Sequence, residues 1–144
     1  MKQLPADIRE AVDLLKVFER TEDYYAKPEL FIEAMEILEL HLKHNPGSEH
    51  CDYIRNIRKS YAKVFVRQLG QLPEDAFQDE ILNYTQALNE VKNILDEKED
   101  YEIYSIFMEF IDMWKEEMEN PVKPREKKVK DRSTEYDINP IFND

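Results

Sequence analysis

The chain has 144 residues, of which 42% are hydrophobic and 11% aromatic, and its formal charge is −12. A chain of this size and composition can bury a core as one domain without a metal ion or disulfide bonds. Its single cysteine, Cys51, excludes an internal disulfide, and the sequence shows neither a signal peptide nor an apolar run long enough to cross a bilayer. We therefore expect a cytoplasmic protein that makes no membrane contact.

The negative charge lies in the first 119 residues. Residues 1–119 contain 14 Lys and Arg against 27 Asp and Glu, a charge of −13, whereas residues 120–144 contain 6 against 5. A body this acidic repels nucleic acid and anionic membranes as a whole, so any contact with a polyanion has to be local. The composition predicts a single helical domain at 1–119 and a charged, proline-containing C-terminal tail at 120–144.

Apolar residues recur at intervals of three and four along five segments, which is typical of helices with one buried face. The first predicted helix opens at Leu4-Pro5-Ala6-Asp7 and runs to about Tyr25, and the second starts at Pro28 and is stopped by His44-Asn45-Pro46-Gly47. The pattern predicts an all-α fold, a five-helix bundle of antiparallel helical hairpins. The other three helices are predicted from about Glu49 to Leu69, from Asp75 to Leu95 and from Tyr101 to about Glu119.

Residues 34–46, AMEILELHLKHNP, contain a small residue, a leucine-rich helix and an Asn-Pro stop in that order. This stretch resembles the second helix of a tetratricopeptide repeat. Similar runs begin at Ala11 and Ala87, at spacings that differ from the 34-residue period of that repeat. The resemblance covers a single helical hairpin and implies hairpin packing of the tetratricopeptide kind.

The fifth predicted helix concentrates aromatic and thioether side chains. Its apolar part, residues 101–118, holds five of the sixteen aromatic residues and three of the five methionines. On a helix its apolar side chains cover about 220° of the circumference, which is more than one buried face requires. The four earlier helices can satisfy one another with only part of this arc. The face carrying Ile106, Phe110 and Met113 is then left for a partner or for the tail.

The C-terminal tail has two parts of different character. Residues 123–132 hold six cations and two acids, and they are predicted to fold against the acidic body or to bind nucleic acid. Residues 133–144 place apolar side chains around Asn139-Pro140, which is typical of a short motif that docks in a groove. That groove belongs either to a partner or to the fifth helix of the same chain. The apolar residues of this part are Tyr136, Ile138, Ile141 and Phe142.

Four cations stand four residues apart on the third predicted helix and form a stripe about 18 Å long on its polar side. They either pair with Asp and Glu of adjacent helices or bind an acidic partner or a phosphate backbone. Arg58 lies inside the apolar arc of the same helix, where we expect it to pair with a buried acid or to reach solvent at the edge. The basic stripe consists of Arg55, Lys59, Lys63 and Arg67.

All three histidines and the only cysteine lie within eleven residues, the one stretch where a metal ion is worth considering. The spacings match no known zinc motif, and the chain lacks the Glu-x-x-His pairs of di-iron bundles. His41 falls on the apolar face of its helix, where a bond to a neighbouring carboxylate or tyrosine is the favoured interpretation. We therefore predict no metal, cofactor or catalytic residue, with a metalloenzyme as the alternative. The cluster consists of His41, His44, His50 and Cys51.

These patterns favour a non-catalytic protein-protein interaction module: a small acidic helical adaptor, regulatory subunit or inhibitor. It would present the face of its fifth helix and its docking tail to another protein. A self-complementary face would instead give a homodimer. The alternative function is local binding of nucleic acid or another polyanion through the basic stripe and the basic tail. The residues predicted to bind the partner are Ile106, Phe110, Met113, Tyr136, Ile141 and Phe142.

Overall fold

The structure of the chain is a computed structural model that describes residues 4–119, and this part is all-helical, with no strand. The predicted all-α class is confirmed. The tail residues Tyr136, Ile141 and Phe142 and the basic segment 123–132 lie outside the described residues. The helices are α1 (Ala6–Arg20), α2 (Lys27–His44), α3 (Cys51–Leu69), α4 (Glu74–Asp79), α5 (Ile81–Ile94) and α6 (Tyr101–Glu119).

The first helix ends earlier than its apolar pattern predicts. Thr21 has an extended backbone (φ −68°, ψ 144°) that stops α1 after Arg20, and its hydroxyl accepts the N–H of Asp23 at 3.1 Å. The Asp23 carboxylate in turn accepts the N–H of Tyr25 at 3.1 Å. Because such side-chain bonds offer the backbone an alternative to the helix, the predicted extension of the first helix to Tyr25 is wrong.

The fourth predicted helix is two helices, α4 and α5, so the predicted count of five helices is wrong. Glu80 between them has a non-helical backbone (φ −115°, ψ 35°). The N–H of Glu80 still reaches Ala76 O at 3.1 Å, and its carbonyl accepts the N–H of Tyr84 at 2.9 Å. A break of one residue leaves the apolar period almost unchanged, which is why the sequence pattern runs through it. The apolar residues that follow this period are all buried: Phe77, Ile81, Tyr84, Leu88, Val91 and Leu95.

Lys27 holds the end of α1 against the start of α2. Its ammonium group donates to the carbonyl oxygen of Phe18 at 2.6 Å, one of the carbonyls that a helix end leaves without an intrahelical donor. Burial lowers the pKa of Lys27, and the nearby charge of Glu19 opposes that shift. At the far ends of the same two helices, Nδ1 of His41 lies 2.8 Å from Oδ2 of Asp7.

Aromatic rings from four helices meet at the centre of the core. Phe18, Phe31 and Phe65 have ring centres 5.4, 5.5 and 4.8 Å apart, and Tyr84 stacks on Phe65 at 6.1 Å. Burying each phenylalanine contributes about 2–3 kcal/mol, and each ring pair adds about 0.5–1.5 kcal/mol. The Tyr84 hydroxyl donates to the carbonyl of Tyr24 at 2.6 Å, so the polar end of this ring is satisfied.

The last helix lies at the edge of this core. α6 packs against α3 and α5, and of its own residues only Phe107 and Phe110 are buried. The other helices of residues 4–119 therefore cover the predicted apolar arc only in part, and they leave Ile106 and Met113 exposed. None of the helices in this range combines the length and the apolar character that crossing a membrane requires.

Candidate functional site

An apolar groove, here called the α3–α6 groove, runs between the C-terminal end of α3 and the middle of α6. Its volume is about 330 Å³, and Glu109 is the only charged residue of its lining. Apolar concave surfaces with few charges are the usual form of peptide and ligand sites. The groove is lined by Val66, Leu69, Gly70, Leu72, Ile106, Glu109, Phe110, Met113 and Trp114.

The structure brings the three predicted α6 residues into this one groove. Ile106 and Met113 are 50% and 67% exposed, whereas Phe110 is 8% exposed. Since they stand at i, i+4 and i+7, they share one helix face. Phe110 therefore belongs to the floor of the groove, and Ile106 and Met113 form its edges.

The floor of the groove is fixed by aromatic packing. The Phe77 ring of α4 lies 5.6 Å from Phe110 and 4.5 Å from Trp114, measured between ring centres. Phe110 and Trp114 are 6.1 Å apart. Rings in contact at these distances hold one another in place. The groove is thus largely formed before any partner arrives.

The wall opposite α6 was not predicted from the sequence as part of a site. Val66 and Leu69 belong to the core-facing side of α3, and Leu72 lies in the connection between α3 and α4. The one sequence signal of this wall was the apolar residue Leu72, which lies in the turn between Gly70 and Pro73. Its position beside α6 depends on long-range packing that spacing alone does not give.

Two cations of the basic stripe position the start of α6. Nζ of Lys59 lies 3.2 Å from Oδ2 of Asp100, and Nζ of Lys63 lies 3.3 Å from Oδ1. Lys59 also contacts Glu99 at 3.0 Å. Oδ2 of Asp100 accepts the N–H of Asp96 at 2.8 Å. The residue preceding α6 is thus tied both to α3 and to its own connecting turn.

These contacts set the protonation of the groups involved. Burial by itself raises the pKa of Asp100, but the hydrogen bonds from Asp96 N–H, Lys59 and Lys63 outweigh it and lower the pKa below its usual range. Hydrogen bonds to Glu99 and Asp100 raise the pKa of Lys59. The Asp100 carboxylate and the Lys59 ammonium group are therefore charged at neutral pH.

Three of the four cations of the basic stripe form ion pairs within the fold. Arg55 contacts Asp52 of its own helix at 3.3 Å, and Lys59 and Lys63 share Asp100. No ion pair of Arg67 is present within residues 4–119. The contacts agree with intramolecular pairing at three of the four positions, and polyanion binding by the stripe stays a prediction.

Arg58 faces acidic residues without a direct bond from its Nε atom, which is buried and has no hydrogen-bond partner among residues 4–119. Burial raises the pKa of Glu90, the charges of Glu39 and Glu36 raise it further, and Arg58 lowers it. The arginine thus offsets part of the repulsion among carboxylates of α2 and α5. The structure shows no ion pair of Arg58 within residues 4–119, so its expected pairing with a buried acid stays a prediction.

The histidine and cysteine cluster is connected by bonds within the fold. His41 is 7% exposed, and its ring nitrogens lie 2.8 Å from Asp7 Oδ2 and 3.4 Å from Ser48 Oγ. The buried thiol of Cys51 donates to the carbonyls of Asn45 and Pro46, each at 3.6 Å. Across residues 4–119 no three His, Cys, Asp or Glu side chains converge as metal ligands would. Both nitrogens of His41 are already used by bonds that join α1, α2 and the following turn.

A second groove, here called the α5–α6 groove, lies on the opposite side of α6 and has a volume of about 330 Å³. Its floor is apolar, and its lining holds two cations, Lys92 and Lys115, and two acids, Asp112 and Glu119. Two grooves therefore flank one helix, and they differ in charge. The α5–α6 groove is lined by Thr85, Leu88, Asn89, Lys92, Phe107, Met108, Ile111, Asp112, Lys115, Met118 and Glu119.

Comparison with known proteins assigns the chain to no family. No protein-family model, curated protein or solved structure matches it. The site described above is accordingly defined by the residues of this chain.

Proposed function

We propose that the protein is a non-catalytic interaction module, a small acidic adaptor, regulatory subunit or inhibitor, which binds a segment of another protein in its α3–α6 groove. The observation that carries this proposal is the exposure of Ile106 and Met113, 50% and 67%, on either side of buried Phe110. A contiguous apolar surface with a methionine edge and an aromatic floor is a common form of protein-binding site.

The occupant that fits best is an amphipathic helix with basic flanks. The groove follows residues 106–114 of α6, and a second helix lying there would place apolar side chains in it at i, i+3 or i+4, and i+7. Glu109 is its only charged lining residue, and residues 1–119 carry a charge of −13. Both charges favour Lys and Arg on the arriving segment and oppose a second acidic copy of this chain.

The scaffold behind the groove supports the proposal. We infer that α1 and α2 form an antiparallel hairpin like that of a tetratricopeptide repeat, within a bundle that forms one domain over residues 1–119. The bonds that support this inference join opposite ends of the two helices, Asp7 with His41 and Phe18 with Lys27. Such a hairpin supports α3, which supplies one wall of the groove.

The only tryptophan of the chain gives a direct test, because Trp114 lines the groove. The full chain is titrated with a synthetic helix that carries a leucine face and lysine flanks but no tryptophan. We expect a saturable change in Trp114 emission. The same peptide with glutamate in place of lysine is expected to give none.

Two charge-matched variants complete the experiment. Met113→Glu is expected to abolish binding, whereas Leu82→Glu, at an exposed position of α5 outside the groove, is expected to leave it unchanged. Both substitutions add a negative charge, so a purely electrostatic complex would strengthen in both. No saturable change, or equal affinity in the Met113→Glu variant, would refute the proposal. A peptide-free dimer in sedimentation equilibrium would instead assign the face to a second copy.

A further inference from the structure

We propose that the α5–α6 groove is the docking site for this chain's own C-terminal segment, residues 136–142, with Ile141 and Phe142 as its apolar anchors. This inference concerns the side of α6 opposite to the α3–α6 groove and does not depend on the proposed function. It assigns the tail to one of two available surfaces on the same helix.

The two grooves differ in the charges of their lining residues. Lys92 is the only cation of α5 and Lys115 the only cation of α6, and both line the α5–α6 groove. The tail from residue 133 to 144 carries three acids and no cation. The two lysines balance Asp112 and Glu119 in the same lining, so this groove opposes an acidic segment less than the α3–α6 groove, where Glu109 stands without a cation. The three acids of the segment are Glu135, Asp137 and Asp144.

The floor of the α5–α6 groove has a chemistry suited to apolar side chains. Phe107 is fully buried at its base, and Met108, Ile111 and Met118 are half-buried. Methionine side chains adapt their shape to an aromatic or branched guest. The spacing of Ile138, Ile141 and Phe142 offers such guests within a stretch shorter than the groove wall formed by α6.

The segment that connects α6 to residue 136 is long enough to bring the tail to this groove. The described chain ends at Glu119, which with Met118 lines this groove, and 16 residues (120–135) separate it from Tyr136. Extended at about 3.3 Å per residue they reach about 50 Å, whereas α6 between Phe107 and Glu119 spans about 18 Å. A tether of this length gives an effective concentration of about millimolar, so that weak contacts suffice for occupancy.

The composition of the tether adds an electrostatic attraction. Residues 123–132 carry six cations and two acids, and they follow directly on the end of α6, where Glu116, Glu117 and Glu119 stand within one turn. Opposite charges at this short separation favour a chain that folds back along α6 over one that extends away. The attraction weakens as ionic strength rises.

A photo-cross-linking experiment on the full chain tests the proposal. p-Benzoylphenylalanine replaces Phe142, the protein is irradiated at several concentrations, and the cross-links are mapped by mass spectrometry. We expect intramolecular cross-links to Met108, Ile111 or Met118, with a yield independent of protein concentration. Cross-links to Ile106 or Met113, cross-links between two copies, or none would each overturn the proposal.

Charge reversal supplies the matched control. Lys92→Glu combined with Lys115→Glu is expected to reduce the cross-link yield about fivefold at low salt. Lys98→Glu, in the exposed connection between α5 and α6, is expected to leave the yield unchanged. An unchanged yield in the double variant, or an equal loss in the Lys98→Glu variant, would contradict a role for Lys92 and Lys115 in holding the tail. Trp114 emission reports on the other groove, so failure here is distinguishable from failure of the proposed function.

Discussion

Lys63 of α3 and Asp100, the residue that precedes α6, form an ion pair of 3.3 Å in which the carboxylate side chain is 4% exposed. The same carboxylate accepts the N–H of Asp96 at 2.8 Å and contacts Lys59 at 3.2 Å. One side chain therefore connects α3, the preceding turn and α6. Because α6 has few buried residues of its own, this connection matters for the placement of both grooves.

Asp100→Ala is expected to destabilise the protein by about 2–3 kcal/mol, since it leaves the Asp96 N–H and two lysines without their shared acceptor. Urea denaturation measures the loss, and hydrogen exchange should show faster exchange in α6 than in α2. Glu99→Ala is the control, because Glu99 is 74% exposed and should cost less than about 0.5 kcal/mol. Equal losses in both variants would contradict a special role for Asp100.

Acid is expected to weaken the fold through the same carboxylate. Bonds from Asp96 N–H and the lysines hold the pKa of Asp100 below the unfolded value, and the bond from His41 does the same for Asp7, against the effect of burial. The stabilisation is therefore present above the ordinary aspartate pKa of about 4 and is lost as pH falls through and below it.

Glu90 changes the stability with pH in the opposite direction, because burial raises its pKa. Its contribution is greatest when it is protonated and is lost as pH rises. Urea midpoints between pH 6 and 3 should nevertheless fall for the wild-type chain. The fall should be smaller in Asp100→Asn, which cannot titrate at that position. An identical pH dependence of the two proteins would show that titration of Asp100 does not contribute to the loss of stability in acid.

Substitutions at the floor and at the edges of the α3–α6 groove should differ in their effect on folding stability. Phe110→Ala is expected to cost about 3–5 kcal/mol, because it empties a buried site beside Phe77 and Trp114. Met113→Ser and Ile106→Ser, at exposed positions, should each stay within about 0.5 kcal/mol of the wild type. Thermal denaturation compares the three variants. A large loss at Met113 would mean that its side chain supports the fold.

Thr85 offers a substitution that should stabilise the protein. Its hydroxyl oxygen is buried and has no hydrogen-bond partner among residues 4–119. Thr85→Val keeps the shape and removes the unsatisfied polar atom, so we expect a gain of about 1 kcal/mol. Thr85→Ser is the comparison, because it retains the hydroxyl and should give no gain. A loss of stability in Thr85→Val would reveal a bond to that oxygen.

Nucleic-acid binding by the basic stripe is expected to be undetectable. Lys59 and Lys63 would have to leave Asp100 to reach a phosphate. The electrophoretic mobility of a short duplex DNA and of a single-stranded RNA, at low salt and micromolar protein, should therefore be the same with the wild-type chain as with a chain in which Arg55 and Arg67 are replaced by Gln. A shift that falls steeply with salt and is lost in Arg55→Gln and Arg67→Gln would restore the alternative function.

The sequence predicts the helices well because a helix that buries one face has apolar residues at regular intervals of three and four. It does not show the break at Glu80, since one non-helical residue preserves the period on both sides. It also places the end of the first helix too late, because the hydroxyl of Thr21 and the carboxylate of Asp23 compete with the helix for backbone N–H groups.

The sequence predicted only one side of the α3–α6 groove, the face of α6. The face of Ile106, Phe110 and Met113 follows from spacing within one helix, whereas the opposing wall at Val66 and Leu72 depends on which helix lies alongside. The acceptor of Lys59 and Lys63 is similarly hidden, because the chain offers many carboxylates and the pairing joins residues some forty positions apart. Local patterns identify faces, and long-range packing decides what those faces meet.

The hydrogen bond from Tyr84 to the carbonyl of Tyr24 spans 60 residues of chain, and it bears on the order of events in folding. The contacts between α1 and α2 close a short loop, so their entropic cost is small and they can form early. Tyr84 reaches Tyr24 through the packing of α5 on the helix pair, which closes a much longer loop. We therefore expect this bond to form after the contacts between α1 and α2.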